Sequence, residues 1–453
     1  MGKFFFDNAL LPQGWAKNVA IETDSVGQII RVKASAETSS SDGVIAIPGM
    51  SNLHSHAFQR AMAGLGERRG EGADDDFWSW REIMYQFVER LRPEDLRAVA
   101  SQLYIEMLEA GFTGVGEFHY VHHQANGDPY DHPGEMADAI FAAAQETGIA
   151  LTILPVLYAF GGFGDTPLLQ KQKRFYHDTN SYLRLVEYCR DKSSKEQNFA
   201  VGIAPHSLRA VSPEMLRTIT SGNKEGPIHI HIAEQIGEVE DCVAVLGARP
   251  VEWLLDNDTI DDRWCLIHAT QMTSEETRRL AKSGAVAGIC PATETNLGDG
   301  VFNGVEYFEA GGAWGVGTDS HIRVDPAEEL RLFELTQRLR DHRRVRLAPR
   351  GASNGRHLYV EAAKGGAKAL GRKTGVIAPG AFCDLVALDP AHPLLTGKTQ
   401  DEWLDSWIFA GDKSCICDVW VRGRHVVQNG AHIGRKSARC DFAVAMKHLT
   451  ALL

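Results

Sequence analysis

Histidines at positions 54 and 56 have the spacing of a metal-binding pair. They follow the apolar run VIAIPGM (44–50), and side chains two residues apart in an extended chain point to the same side. Both imidazoles can therefore reach one ion. Because the chain contains 18 histidines, roughly one such pair is expected by chance, so the pair alone does not establish a site.

Further residues of metal-binding type follow three other apolar runs. His231, His268 and Asp319 lie near the ends of the runs 227–234, 264–270 and 313–321. Imidazole and carboxylate groups are ligands that zinc accepts, although the same groups also bind iron or manganese. Glu234 comes three residues after His231, so its side chain can reach a substrate that is held at the metal. These positions together predict a metal centre.

The elements that must position these residues are short apolar runs that alternate with longer segments of helical pattern. Eight such runs predict the strands of a TIM (β/α)8 barrel, whose chemistry lies at the carboxyl ends of its strands. The predicted strands are 44–50, 113–120, 150–158, 199–207, 227–234, 264–270, 285–293 and 313–321. His229 shares the face of His231 but lies deeper along its strand, so we expect it in the core or supporting a ligand.

Both ends of the chain have a different, β-rich pattern. We expect them to pair into a small β-sandwich domain, which gives the boundaries 1–47 and 373–453 for that domain and 48–372 for the barrel. Helices are predicted over 93–111 and 212–222, and a final helix over about 436–452.

Composition excludes several classes of function. The net charge of -12 argues against binding to nucleic acid or anionic membranes, which attract basic surfaces. No apolar run approaches the length of a membrane span, and the first residues match no targeting signal. We therefore expect a cytoplasmic protein, and an anionic small-molecule substrate would need local arginines.

Several blocks resemble the deaminases of the amidohydrolase superfamily. These blocks are PGMSNLHSHAFQRAMAG (48–64), HIHIAEQ (229–235), CLIHAT (265–270), CPATETNLGDG (290–300) and GVGTDSH (315–321). More narrowly, FWSWRE (77–82), GEFHYVHH (116–123) and HSLRAV (206–211) resemble the formimidoylglutamate deiminase family. That resemblance implies hydrolysis of N-formimino-L-glutamate to N-formyl-L-glutamate and ammonia, a step of histidine degradation, by a homodimer.

The resemblance also implies roles for individual residues. His54, His56, His231 and Asp319 would bind zinc, and Glu234, His268 and Asp319 would be catalytic. Members with two metals carry a bridging lysine at the end of strand 4, whereas here that strand ends in APHSLRA (204–210), so we expect one zinc per subunit. His119, His122 and His123 form another cluster, for which supporting or substrate-facing roles are more typical than ligation.

The carboxylates of the implied substrate require bidentate donors, and arginine is the residue best suited to that task. Arg81 and Arg209 are the expected clamp, with Gln59, Tyr120 and His206 supplying further hydrogen bonds. Trp78 and Trp80 are expected to pack within the segment that covers the site.

Two alternatives remain open. The same metal machinery could deaminate a cyclic base such as guanine or cytosine. A non-catalytic barrel kept as an assembly scaffold should have lost ligands, whereas this chain retains them.

Overall fold

The computed structural model describes residues 2–37, 41–67 and 77–451. The strands are β1 Lys3–Leu11, β2 Gly14–Thr23, β3 Ile29–Lys33, β4 Gly43–Pro48, β5 Met50–Ser55, β6 Phe112–His119, β7 Ala150–Leu157, β8 Phe199–Val201, β9 Ala204–Pro205, β10 Ile228–Ile232, β11 Trp264–His268, β12 Val286–Ile289, β13 Ala313–Val316, β14 Leu385–Leu388, β15 Ile416–Val421, β16 Arg424–Gln428 and β17 Ala431–His432. The helices are α1 Phe77–Arg90, α2 Pro93–Glu109, α3 Glu135–Thr147, α4 Thr179–Ser193, α5 Pro213–Gly222, α6 Ile236–Leu246, α7 Pro250–Asn257, α8 Ser274–Ser283, α9 Pro291–Leu297, α10 Gly304–Glu309, α11 Pro326–Asp341, α12 Asn354–Ala369, α13 Asp401–Ala410 and α14 Arg435–Leu449.

Strands β5 to β13 are parallel and form the barrel. They lie in two sheets, β5-β6-β7-β8 with β9 also on β7, and β10-β11-β12-β13. Single parallel bridges, Ser55 with Asp319 and Ile203 with Ile228, join the edges of the two sheets. Every residue of β6, β7 and β11 is buried, as expected for strands covered by helices outside and by packed side chains inside. The predicted TIM barrel is confirmed.

Both chain ends contribute to one further sheet. Its strand order is β17-β16-β15-β14-β4-β1-β2-β3, in which β1 and β4 are parallel and the other pairs are antiparallel. Phe6, Ile21, Ala46, Leu385 and Trp420, from both chain ends, pack into a core of its own. The small β domain expected from the two ends is therefore confirmed.

The prediction for the first barrel strand was wrong. Residues 43–48 of the predicted run 44–50 form β4 of the small sheet, and the barrel begins with β5 at Met50. The chain crosses between the two sheets at Gly49, where an added Cβ would lie 2.4 Å from the Thr113 side chain. Residues 45–48 of β4 and all of β5 are buried, and only Gly49 separates the two strands, so the end of the apolar run 44–50 does not mark the crossing.

The predicted helices match closely. Helix α5 begins after Ser212, whose hydroxyl accepts a hydrogen bond from the Met215 N–H at 3.3 Å, as an N-cap does. The final helix, α14, packs against α2. Within the described ranges, no helix combines the length and the apolar character that crossing a bilayer requires.

Candidate active site

Four side chains from three strand ends converge at the carboxyl end of the barrel. His54 lies in β5, His56 follows it, His231 lies in β10 and Asp319 follows β13. The Nε2 atom of His54 is 3.1 Å from Nε2 of His56 and 3.0 Å from Nε2 of His231. Asp319 Oδ1 lies 3.2 Å from His56 Nε2 and 3.5 Å from His54 Nε2. One donor atom of each residue lies within 4.8 Å of all the others.

The hydrogen bonds of the imidazoles fit a cation at this point. His56 Nδ1 lies 3.0 Å from the Phe118 carbonyl, and His231 Nδ1 lies 3.2 Å from the His206 carbonyl. A carbonyl only accepts, so both Nδ1 atoms carry the proton and both Nε2 lone pairs face His54. Burial lowers the pKa of His54 to about 3. Neutral imidazoles and one carboxylate crowded together are the donor set that zinc takes.

Glu234 and His268 lie beside the four residues. His268 Nε2 is 3.6 Å from Glu234 Oε1 and 3.8 Å from Asp319 Oδ2, while its Nδ1 is 3.2 Å from Glu294 Oε1. Burial opposes the charge on His268, but the Glu234 and Glu294 carboxylates outweigh it and raise the pKa of His268 well above its ordinary value. Burial raises the pKa of Glu234 to about 7. The site therefore combines groups able to accept and to donate protons.

The backbone at these strand ends is unusual. Ala233, His268 and Asp319 have φ values of +50°, +69° and +46°, in the left-handed region that residues other than glycine rarely adopt. Such conformations persist where surrounding contacts hold them, and they cluster at functional sites.

A pocket extends from the four converging residues. Its walls include all five side chains predicted to contact a substrate, namely Gln59, Arg81, Tyr120, His206 and Arg209. Gln59 Nε2 donates to the Tyr120 hydroxyl at 2.9 Å, and Arg81 Nη2 donates to the Tyr158 hydroxyl at 3.0 Å. Burial opposes the charge of Arg209, but Tyr158 and Glu238 nearby raise its pKa above the ordinary value. The guanidinium groups of Arg81 and Arg209 thus line the same pocket as the metal-type cluster, which is formed by His54, His56, His231 and Asp319.

Six residues that line this pocket were not predicted from the sequence, namely Met84, Tyr158, Phe175, Ser207, Glu238 and Leu297. Tyr158 is the last residue of the apolar run 150–158 and directly follows β7, and Glu238 lies in the first turn of α6. Glu238 occupies the third position of α6, where acidic residues often bond the helix start, and that signal could have found it. Trp80 lines the pocket, and the side chain of Trp78 lies outside the described residues.

Other histidines lie apart from the pocket lining. His122 Nε2 lies 3.1 Å from the Val156 carbonyl, and His123 Nε2 lies 2.7 Å from the Tyr176 carbonyl. His119, His122 and His123 lie outside the pocket lining and the four-residue cluster in the described structure, so a substrate-facing role finds no support. His229 is buried with Nε2 2.7 Å from the Ala369 carbonyl, which confirms its predicted place in the core.

The chain is similar in sequence to two curated bacterial deaminases. A formimidoylglutamate deiminase of Pseudomonas aeruginosa is 47% identical over 453 residues, covering 99% of this chain and 100% of the relative. A 5-methylthioadenosine/S-adenosylhomocysteine deaminase of Bacillus cereus is 26% identical over 439 residues, covering 93% of this chain and 91% of the relative. Both alignments extend over nearly the whole chain.

The fold is also similar to those of solved structures. The crystal structure of an amidohydrolase from Brucella melitensis has a TM-score of 0.95 and 48% identity, covering 99% of this chain and 100% of that one. An adenosine deaminase from Xanthomonas campestris with bound zinc has a TM-score of 0.81 at 20% identity, covering 99% and 98%, which shows the fold alone. The amidohydrolase family model matches residues 45–426, and this protein therefore belongs to the amidohydrolase family.

Proposed function

We propose that this protein is a formimidoylglutamate deiminase, which hydrolyses N-formimino-L-glutamate to N-formyl-L-glutamate and ammonia in histidine degradation. The observation that carries the proposal is the pocket in which Arg81 and Arg209 face the same space as the His/Asp cluster. An acyclic dicarboxylate needs two such cations, because an overall charge of -12 gives no general attraction for anions. The full-length relative at 47% identity carries the same name.

One zinc ion would be held by His54, His56, His231 and Asp319. Bound there, the ion would polarise the formimino group and lower the pKa of water toward roughly 7. The segment 204–210, where a bridging lysine would stand in a two-metal site, has no lysine, which favours a single ion.

Arg81 and Arg209 would bind the two substrate carboxylates through paired N–H groups. Gln59, Tyr120 and His206 would add hydrogen bonds along the wall between the arginines and the cluster. This arrangement fixes the distance from the carboxylates to the formimino carbon and so selects substrate length.

The positions of Asp319, His268 and Glu234 suggest how protons move during the reaction. Water adds to the carbon of the protonated, cationic formimino group, and Asp319 takes one proton from the water, which leaves a hydroxyl and an amino group on that carbon. His268 stabilises the oxygen that gains charge, from its position 3.8 Å from Asp319 Oδ2. Glu234 gives a proton to the amino nitrogen on that carbon and, as the C–N bond breaks, takes the proton of the hydroxyl, so ammonia departs and the formyl carbonyl forms.

An ammonia-release assay tests the proposal. Purified, metal-replete protein is supplied with N-formimino-L-glutamate, N-formimino-L-aspartate, guanine and cytosine in parallel. We expect N-formimino-L-glutamate to give the highest kcat/KM. Release of ammonia from guanine or cytosine alone would instead support a deaminase of cyclic bases.

A further inference from the structure

We infer that Glu238 is a positioning residue that holds the catalytic carboxylate of Glu234 in place, an inference that rests on the proposed function. Glu238 is only 8% exposed and lines the active-site pocket from the first turn of α6. Its role follows from what its two oxygens contact.

Each oxygen of Glu238 holds one backbone amide of the turn that carries Glu234. Oε1 accepts the Ala233 N–H at 3.1 Å, and Oε2 accepts the Glu234 N–H at 3.0 Å. Ala233 has a left-handed backbone, with φ at +50°, which an alanine does not favour. The bidentate contact therefore stabilises a strained conformation directly at the base of Glu234.

The other side of the same turn is held by the neighbouring strand end. The Ala233 carbonyl accepts the Gln271 N–H at 2.9 Å, and the Ile232 carbonyl accepts the Ala269 N–H at 3.0 Å. Residues 269–271 directly follow His268, so these bonds set Glu234 against His268. Glu238 holds the opposite side of the turn from helix α6, through its bonds to the Ala233 and Glu234 amides.

Only a carboxylate of this length satisfies both amides. In Glu238→Gln the side-chain NH2 group would face one backbone N–H, so two donors would meet and the turn would shift. In Glu238→Asp the charge remains, but the shorter side chain cannot span both amides.

Glu276 offers a matched control in a neighbouring helix. It is 3% exposed, it also occupies the third position of its helix, α8, and its oxygens accept the Thr273 N–H at 2.8 Å and the Glu252 N–H at 3.3 Å. It lies outside the pocket lining and also accepts Arg249 Nε at 2.8 Å, so Glu276→Gln sets an upper limit on the cost of breaking such a contact away from the pocket.

The test measures kcat, KM, metal content and melting temperature for Glu238→Gln, Glu238→Asp and Glu276→Gln. We expect both Glu238 variants to keep the metal and to lose roughly 10- to 100-fold in kcat, with KM changed less than about threefold. Glu276→Gln should keep kcat near the wild-type value. If Glu238→Asp restores full turnover, the role is one of charge, and positioning is overturned.

A second arm combines Glu238→Gln with Glu234→Gln. If Glu238 acts through Glu234, it adds almost no further loss of kcat in that background, whereas independent damage multiplies. Crystal structures of the variants give a readout that does not depend on activity. We expect a displaced Glu234 carboxylate in Glu238→Asp, and an unmoved one overturns the inference. If the wild-type protein itself does not hydrolyse N-formimino-L-glutamate, that result contradicts the proposed function and not the positioning role of Glu238.

Discussion

Replacing Arg209 by methionine removes a guanidinium from the pocket wall while keeping the apolar stem. Its neighbours keep other partners. The Tyr158 hydroxyl still receives Arg81 Nη2 at 3.0 Å and Gln172 Nε2 at 3.2 Å, and Glu238 still accepts two backbone amides. We therefore expect folding and metal content to stay near those of the wild type.

The expected loss follows from one charge-assisted contact. Such a contact contributes about 1.5–3 kcal/mol. At about 1.4 kcal/mol per factor of ten, kcat/KM for N-formimino-L-glutamate should fall roughly 10- to 150-fold. Arg217→Met, on the exposed face of α5, is the matched control and should stay near the wild type.

The assay compares N-formimino-L-glutamate with its two monoamides, one at each carboxylate. If Arg209 binds one carboxylate, the monoamide lacking it should be a poor substrate for the wild type and only slightly worse for Arg209→Met. The cycle isolates the pair from general damage to the pocket. Equal proportional losses on all three compounds would refute the clamp and favour a cyclic base as substrate.

Three further outcomes are expected. Elemental analysis should find about one zinc per subunit, because four ligands converge on one point; a reproducible content near two, or none after metal-replete expression, contradicts this. Glu234→Gln should keep the metal and lose about 10²- to 10⁴-fold in turnover, so near-normal turnover would exclude a proton shuttle. Burial raises the pKa of Asp325 to about 6 from an ordinary 3.8, so its stabilising contribution is lost as pH rises through about 6. Asp325→Asn should therefore gain stability relative to the wild type between about pH 5 and about pH 8 in urea unfolding, and a constant difference would contradict that pKa.

The metal-type cluster could be predicted from the sequence because the carboxyl ends of the parallel strands of a barrel lie on one face. His54, His231 and Asp319 follow separate apolar runs, and barrel geometry brings all such ends to one face. Tyr158 and Glu238 could not be placed in this way. A tyrosine at the end of an apolar run resembles core, and a helical glutamate resembles surface, until tertiary packing shows which way each faces. The start of the barrel was misplaced for a similar reason, since the end of β4 and all of β5 are buried and only Gly49 separates the two strands.

The residues that close the barrel are also those that build its metal-type cluster. The seam between the first and last strands is a bridge from Ser55 to Asp319, reinforced by the Asp319 N–H donating to the His54 carbonyl at 3.1 Å. His54 and Asp319 present their side chains from that seam, and His231 reaches them from across the ring. A cation bound by His54, His231 and Asp319 would link strands that are far apart in sequence. Because such a cation would bind only the folded state, it would stabilise the closed barrel by mass action. Small shifts at the seam would in turn move the ligands, because the same backbone bonds set both.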